Sequence, residues 1–583
     1  MENGAPFTDD EKKRIPYTLQ VPTQETPPSP APVQRTWTGL LLCLPLLAVL
    51  LAAVAVPLGL MFYYSFTDFN MLEQPSFVGL ENYRALFHDN NFWIMLRNTL
   101  WLIPLSAMIL AAAYLLAGAA SRLRRGWGTA LGLLLGAVSL TMLAPTGLLI
   151  LFGGDSYNLF NSYLLSSGLA DHAVNWLTSS RLLYYLQLSG ICLAPAYWMF
   201  FLSLRGGQRL SPKGLRLAVI FTPLLLLCCY SLTRGVYGFP SPFYAFDTLL
   251  SYIYDYHFIR FSIGMSGAAC AVFLLLLLLW LGLFQLIAWG IIRLLQTDAP
   301  KHSLPLPLHG AGTAVGYLLV LGGLAPFFIS LVTSFKPAEE LFRFPPSLLP
   351  QAPSLQAYRD LQTLLGAVQF TAYDLGTSFL PLVLGLMYHF IFVLPAAFGL
   401  TAFHSRRVQR TAGTVGAVWC LFTPLSSFWM YVLLAKLQLL PVGMGRFTAI
   451  MGSTLLTYLT SPLLPAILLL SLWAIKAPAP SLLPFWRDNR RILRTFFGMA
   501  GAALLSSFSL YLHQNLYSLG SDYLPPISLL HAFSMGSAAA RANTASALHV
   551  LSVVLGFLIW LSGMALLLSA SRKPKGKRTS SSG

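Results

Sequence analysis

Charge is scarce in this chain, and negative charge is scarcest. Only 10% of the 583 residues are charged, and 20 Asp and Glu stand against 37 Lys and Arg. Glutamate is confined to Glu2, Glu11, Glu25, Glu73, Glu81, Glu339 and Glu340. The long apolar stretches hold essentially no carboxylate. A charge at mid-bilayer costs at least about 2.5–3.5 kcal/mol and is kept for function, so this lack argues against proton- or sodium-coupled carriage. Cysteine is rare as well. Cys43, Cys192, Cys228, Cys229, Cys270 and Cys420 all lie in or beside apolar runs, and none has the C-x-x-C spacing of a metal site. There is no GxxxxGK[ST] phosphate loop and no H-x-x-x-H pair. No cofactor or metal is therefore expected. His389 and His549 sit inside apolar runs and read as neutral packing residues, with a proton relay as the alternative. Asp68 with Glu73 is thin support for the carboxylate pair that a lipid-sugar transferase would need. The chain is not expected to be an enzyme.

What is abundant is apolar sequence, at 56%. Runs of roughly 20 apolar residues recur, the length that a hydrocarbon layer of about 30 Å demands of a helix. A membrane β-barrel would show short alternating segments instead. The pattern predicts an all-α polytopic membrane protein with about 12 spans, near 38–62, 97–119, 128–152, 181–203, 215–232, 263–294, 311–334, 376–403, 411–435, 447–475, 493–513 and 544–570. Prolines inside these runs, such as Pro145 and Pro195, predict bent helices.

The formal charge of +17 falls in clusters between the runs, so it reads as topology signalling rather than nucleic-acid binding. Arg122, Arg124 and Arg125 follow the second span, and Arg406, Arg407 and Arg410 the eighth. Every even-numbered exit is basic. The positive-inside rule then puts both termini in the cytoplasm. The odd-numbered loops carry most of the acids and many aromatics. In "GLENYRALFHDNNFW", Leu80, Tyr83 and Phe87 share one helical face, which predicts an amphipathic segment on the outer surface or against an external partner. The first 37 residues are polar and Pro-rich, expected as a disordered cytoplasmic tail without a signal peptide; 571–583 is a basic tail.

The chain also repeats itself. "YYSFTDFN" and "LENYRALF" follow the first span; "LVTSFKPAEE" and "LQAYRDLQ" follow the seventh. Ser65-Phe66 matches Ser334-Phe335, and Tyr83-Arg84 matches Tyr358-Arg359. Six spans separate the copies, which predicts two parallel six-helix repeats, 38–295 and 311–570, joined by a polar Pro-rich linker at 296–310.

These residues resemble a known family. "LGLMFYYSFTDFN … SFVGLENYRALFHDNNFWIMLRNTLW", then "NSYLLSSGL … NWLT" and "DTLLSYIYDYHFIRFSIGMSGAACAVF", look like the first membrane subunit of carbohydrate-type ABC importers, the maltose and glycerol-3-phosphate class. "LAPFFISLVTSFKPAEELFRFPPSLLPQAPSLQAYRDL" looks like the start of the second. The resemblance implies two permease subunits fused in one chain of a bacterial inner membrane. An external solute-binding protein would deliver a sugar-like solute, and cytoplasmic ATPase subunits would drive transport. Tyr83, Arg84, Tyr358 and Arg359 are the candidates for external docking. Ser231, Arg234, Ser509 and Gln514 stand roughly where the family contacts solute.

The resemblance also implies a Glu-Ala-Ala coupling loop after the fourth span of each half. Here those loops are "SLRGGQRLSPKGLR" and "KAPAPSLLPFWRDNRRILR", neither with a glutamate. Arg205, Arg209, Lys213, Arg216, Arg487, Arg490, Arg491 and Arg494 are then the candidates for docking a cytoplasmic partner. Two expectations follow. One is an importer permease with unconventional ATPase contacts. The other is a transport-inactive scaffold bound to other subunits of a membrane complex. In both, membrane lipid surrounds the chain.

Overall fold

The computed structural model describes residues 32–121, 125–143, 146–176, 181–204, 247–296, 306–367, 406–437 and 542–570, with short pieces at 222, 226 and between 387 and 400. Most of these residues are helical, and the single β contact among them is an isolated bridge between Thr67 and Phe77. In hydrocarbon every backbone N–H and C=O must be paired within the chain, and a helix does so locally. Five of the helices are long and apolar enough to cross a membrane, or six if one bent pair counts as a single span.

The first half opens with α1 (Pro32–Leu50), which continues through a π-helical turn (Leu51–Ala55) into α2 (Val56–Ser65). Helix α1 begins earlier than the composition implied. Pro32 suits a first helical turn, where a missing N–H costs nothing. Next come α3 (Glu81–His88), α4 (Asn90–Leu100), α5 (Leu102–Ser121) and α6 (Arg125–Leu143), then α7 (Thr146–Phe152), α8 (Leu159–Ser166) and α9 (Arg181–Leu204). The half closes with α10 (Leu249–Tyr254), a π turn (Asp255–Ile259) and α11 (Ile263–Gln296). Helices α6 and α7 meet at 72°.

The second half contributes α12 (Leu306–Ser334), α13 (Ala338–Leu341), α14 (Gln356–Ala367), α15 (Arg406–Lys436) and α16 (Ala542–Ala570). The spans read at 447–475 and 493–513, almost all of 215–232 and most of 376–403 lie outside the described residues.

Polar side chains at the helix contacts are tied to backbone carbonyls. Between α6 and α9, Tyr197 Oη donates to Gly128 O at 2.7 Å, Trp198 Nε1 to Gly132 O at 3.0 Å and Gln187 Nε2 to Met142 O at 2.8 Å. Such bonds hold helices together where water cannot compete. His549 on α16 is fully buried, with Nδ1 2.7 Å from Ser330 Oγ on α12. The side chain of His389 lies outside the described residues.

The packing order is reciprocal. Helices α6 and α7 of the first half pack on α12 and α16 of the second. Helix α15 of the second half packs on α2 and α11 of the first. Gly147 on α7 sits so close to Pro326 O on α12 that a Cβ there would collide with backbone.

Candidate functional site

The polar side chains that the fold gathers lie at one end of the bundle, where α2 and α12 finish. A helix C-terminus leaves carbonyls without intrahelical partners, and both ends are capped by the segment that follows. At α2, Asn82 Nδ2 donates to Ser65 O at 2.9 Å and to Thr67 O at 2.8 Å. Tyr83 Oη donates to Ser65 Oγ at 2.8 Å, and its ring lies 5.5 Å from that of Phe66. The amide of Val78 closes the loop on Phe66 O at 2.9 Å. At α12, Ser334 Oγ and Tyr358 Oη are 3.0 Å apart, the Tyr358 ring lies 5.9 Å from Phe335, and Ser354 N donates to Phe335 O at 2.8 Å. In both places the serine of one matched dipeptide is therefore bonded to the tyrosine of the other.

The loops are stiffened from within. Asp68 accepts from Ser76 N at 2.7 Å and Ser76 Oγ at 2.5 Å, which holds its carboxyl below the ordinary range. No bond joins it to Glu73. Glu340 accepts from Ser347 Oγ at 2.5 Å and Gln351 N at 3.0 Å. Burial pushes the Glu340 carboxyl up, but these bonds and the Lys336 charge outweigh it and hold it low. Each loop also anchors the last helix of its half. Phe69 O accepts from Ile263 N and Gly264 N at 2.9 and 3.1 Å. Lys336 O accepts from Asn543 Nδ2 at 3.1 Å.

Of the face read from the sequence, Leu80 and Phe87 lie exposed and Tyr83 turns partly inward. Leu80 is 67% exposed and Phe87 46%, whereas Leu86 is fully buried and Tyr83 half-buried. Leu80 is the residue before the helix, with φ −93° and ψ 12°. Its carbonyl accepts the first bond of the helix, from Arg84 N at 2.9 Å. Arg84 and Arg359 are exposed, while the Tyr83 and Tyr358 hydroxyls are engaged internally. Ser231, Arg234, Ser509, Gln514, Arg205, Arg209, Lys213, Arg216, Arg487, Arg490, Arg491 and Arg494 lie outside the described residues.

Two arrangements at this end join the halves, and neither was legible beforehand. The first is a cavity of about 240 Å³ between α7 and α8 on one side and residues 333–346 with the start of α16 on the other. Asp155, Tyr157, Asn158, Lys336 and Glu340 supply its polar and aromatic lining. Asn161, buried, fixes one wall: its Nδ2 donates to Gly153 O and Val174 O, each at 2.9 Å, and its Oδ1 accepts from Trp176 Nε1 at 2.8 Å. Lys336 is 5% exposed and its ammonium donates to Ser347 O. Burial lowers its pKa, against the pull of Glu340.

The second arrangement is Lys436 of α15. It bonds Tyr64 Oη, and its Nζ lies 4.7 Å from the Tyr64 ring centre and 4.6 Å from that of Phe69. Close by, the fully buried His257 has Nδ1 3.0 Å from Ser266 Oγ and packs edge-on against Phe428 and Trp429 of α15. Burial pushes its pKa down to about 3. Among the described residues no three His, Cys, Asp or Glu side chains converge as a metal site would need.

No family model matches the chain. A segment of 49 residues, 8% of the chain, is 45% identical to a probable starch degradation products transport system permease protein, AmyD, of Thermoanaerobacterium thermosulfurigenes. The match spans 17% of that relative's length.

Proposed function

We propose that the chain is the membrane-spanning permease component of an ABC-type importer for a carbohydrate-like solute. It would carry twelve spans in two parallel six-span halves, with both termini in the cytoplasm of a bacterial inner membrane. Separate ATPase and solute-binding subunits would complete it. The end of the bundle that carries the Ser65–Tyr83 and Ser334–Tyr358 pairs is then external. Arg84 and Arg359 are available there to a binding protein, and the basic loops face an ATPase at the opposite end.

The observation that carries this reading is the segment 45% identical to a sugar-transport permease. The matching caps on α2 and α12, each followed by a helix that packs on the last helix of its own half, support the two-fold plan. The test is reconstitution. Full-length protein supplied with ATPase and binding-protein candidates should show solute-stimulated ATP hydrolysis, and none with any candidate sugar would sink the reading.

One observation favours a second reading, a transport-inactive scaffold: no glutamate stands in either loop where the resemblance implies ATPase coupling. Chains that co-purify decide between the two. An ATPase together with a solute-binding protein supports the importer, and other membrane subunits without an ATPase support the scaffold.

A further inference from the structure

We propose that the cavity between α7–α8 and residues 333–346 is a binding site for a small uncharged polyhydroxylated solute, received between the two halves before it enters the pathway. The proposal rests on the permease reading and adds a location and a chemistry to it.

The lining supplies both kinds of hydrogen-bonding group. An ammonium has three donors, and that of Lys336 spends one on Ser347 O; it has no further hydrogen bond among the described residues. It is 5% exposed, so water meets its remaining donors only through the cavity that it lines. Asp155 offers carboxylate acceptors, occupied by two long contacts of 3.3 Å to Ser156 Oγ and Tyr157 N. Asn158, whose side-chain amide both donates and accepts, completes the polar set. A hydroxyl is donor and acceptor at once, so a polyol satisfies all three groups.

The apolar part fits the same class. Phe342, Leu149 and Ile150 border the polar groups, and a sugar ring presents C–H faces beside its hydroxyls. Charge argues in the same direction. The lining holds one ammonium, Lys336, and two carboxylates, Asp155 and Glu340. An anion would meet both of them and a cation would meet the ammonium, whereas a neutral solute meets no like charge. The volume of about 240 Å³ lies below the roughly 300–1,000 Å³ of pockets for drug-sized ligands, which suits one sugar ring.

Protection of an introduced cysteine tests this in the full chain reconstituted into lipid nanodiscs. Tyr157→Cys is labelled with a maleimide, and wild-type labelling is subtracted. Saturating glucose should slow labelling roughly tenfold, as expected for an occupied site. Glycine and inorganic phosphate should leave the rate unchanged. Adding Lys336→Met or Asp155→Asn should raise the glucose concentration for half-protection roughly tenfold, the worth of about 1.4 kcal/mol of polar contact. Asp155 is exposed at the rim, so D155N decides the matter if K336M fails to fold. No protection by sugar, or equal protection by glycine or phosphate, overturns the site. If sugar gives no protection while solute-stimulated hydrolysis is present, the site alone falls and the permease reading stands. Protection without hydrolysis leaves the site standing and removes the motor coupling.

Discussion

Tyr83 reaches back over 18 residues to donate its hydroxyl to Ser65 Oγ at 2.8 Å. The bond closes α3 onto the end of α2, and Tyr358 and Ser334 stand in the same relation at 3.0 Å. The tyrosines that the sequence offered as docking residues thus hold the capping loops in place. Removing either hydroxyl should loosen a loop and leave the helices intact. Tyr83→Phe and Tyr358→Phe should each cost about 0.5–1.5 kcal/mol, read as a lower unfolding temperature in detergent. Equal losses in the two variants would mark the pairs as equivalent. A loss in one alone would show that the caps do different work.

The Glu340 carboxyl is held below its ordinary pKa. A group lowered by folding contributes stability above its unfolded pKa and loses it as the pH falls through the folded value. The acid limb of the stability profile should therefore flatten in Glu340→Gln. Lys336, lowered by burial, acts at the other end: stability should rise as the pH climbs from its folded pKa towards the ordinary lysine value. Unfolding midpoints measured across pH for wild type, E340Q and K336M test both signs. A parallel acid limb in E340Q would refute the assignment.

At Gly147 the two halves meet backbone to backbone, with no room for a Cβ beside Pro326 O. Gly147→Ala should cost about 1–3 kcal/mol through overpacking. Gly322, on α12 with open space around its Cα, is the control. There, alanine should be neutral or stabilising by up to about 1 kcal/mol through helix propensity. Thermal unfolding of the two variants side by side separates packing from propensity.

Lys436 joins α15 to the Tyr64 and Phe69 rings of the first half. Lys436→Met should lose about 0.5–2 kcal/mol of cation–π attraction, and Lys436→Arg should retain most of it. Cysteine cross-linking between α2 and α15 would report the same change as a broader spread of distances. Unchanged stability in K436M would mean that the contact is incidental.

The sequence laid bare those features that depend on local periodicity. Hydrocarbon demands long apolar runs and internal backbone pairing, so the span running from α1 through α2 and those of α5, α11 and α12 could be read within a few residues. The Ser-Phe and Tyr-Arg matches marked the repeat, but not that Ser65 meets Tyr83 and Ser334 meets Tyr358 across 18 and 24 residues.

Only the tertiary structure decided what the halves build between them. Lys336 and Glu340 read as part of a family-like stretch, and Asp155 as one scattered acid among several. They line one cavity because α7 turns by 72° from α6 and packs on α12 across the boundary of the halves. Lys436 reads as the basic end of a span and proves to be seated on two rings of the other half. Spacing along the chain carries no record of such contacts. They arise when glycines such as Gly147 let two helices approach closely, and the polar ends of those helices must then satisfy one another away from water.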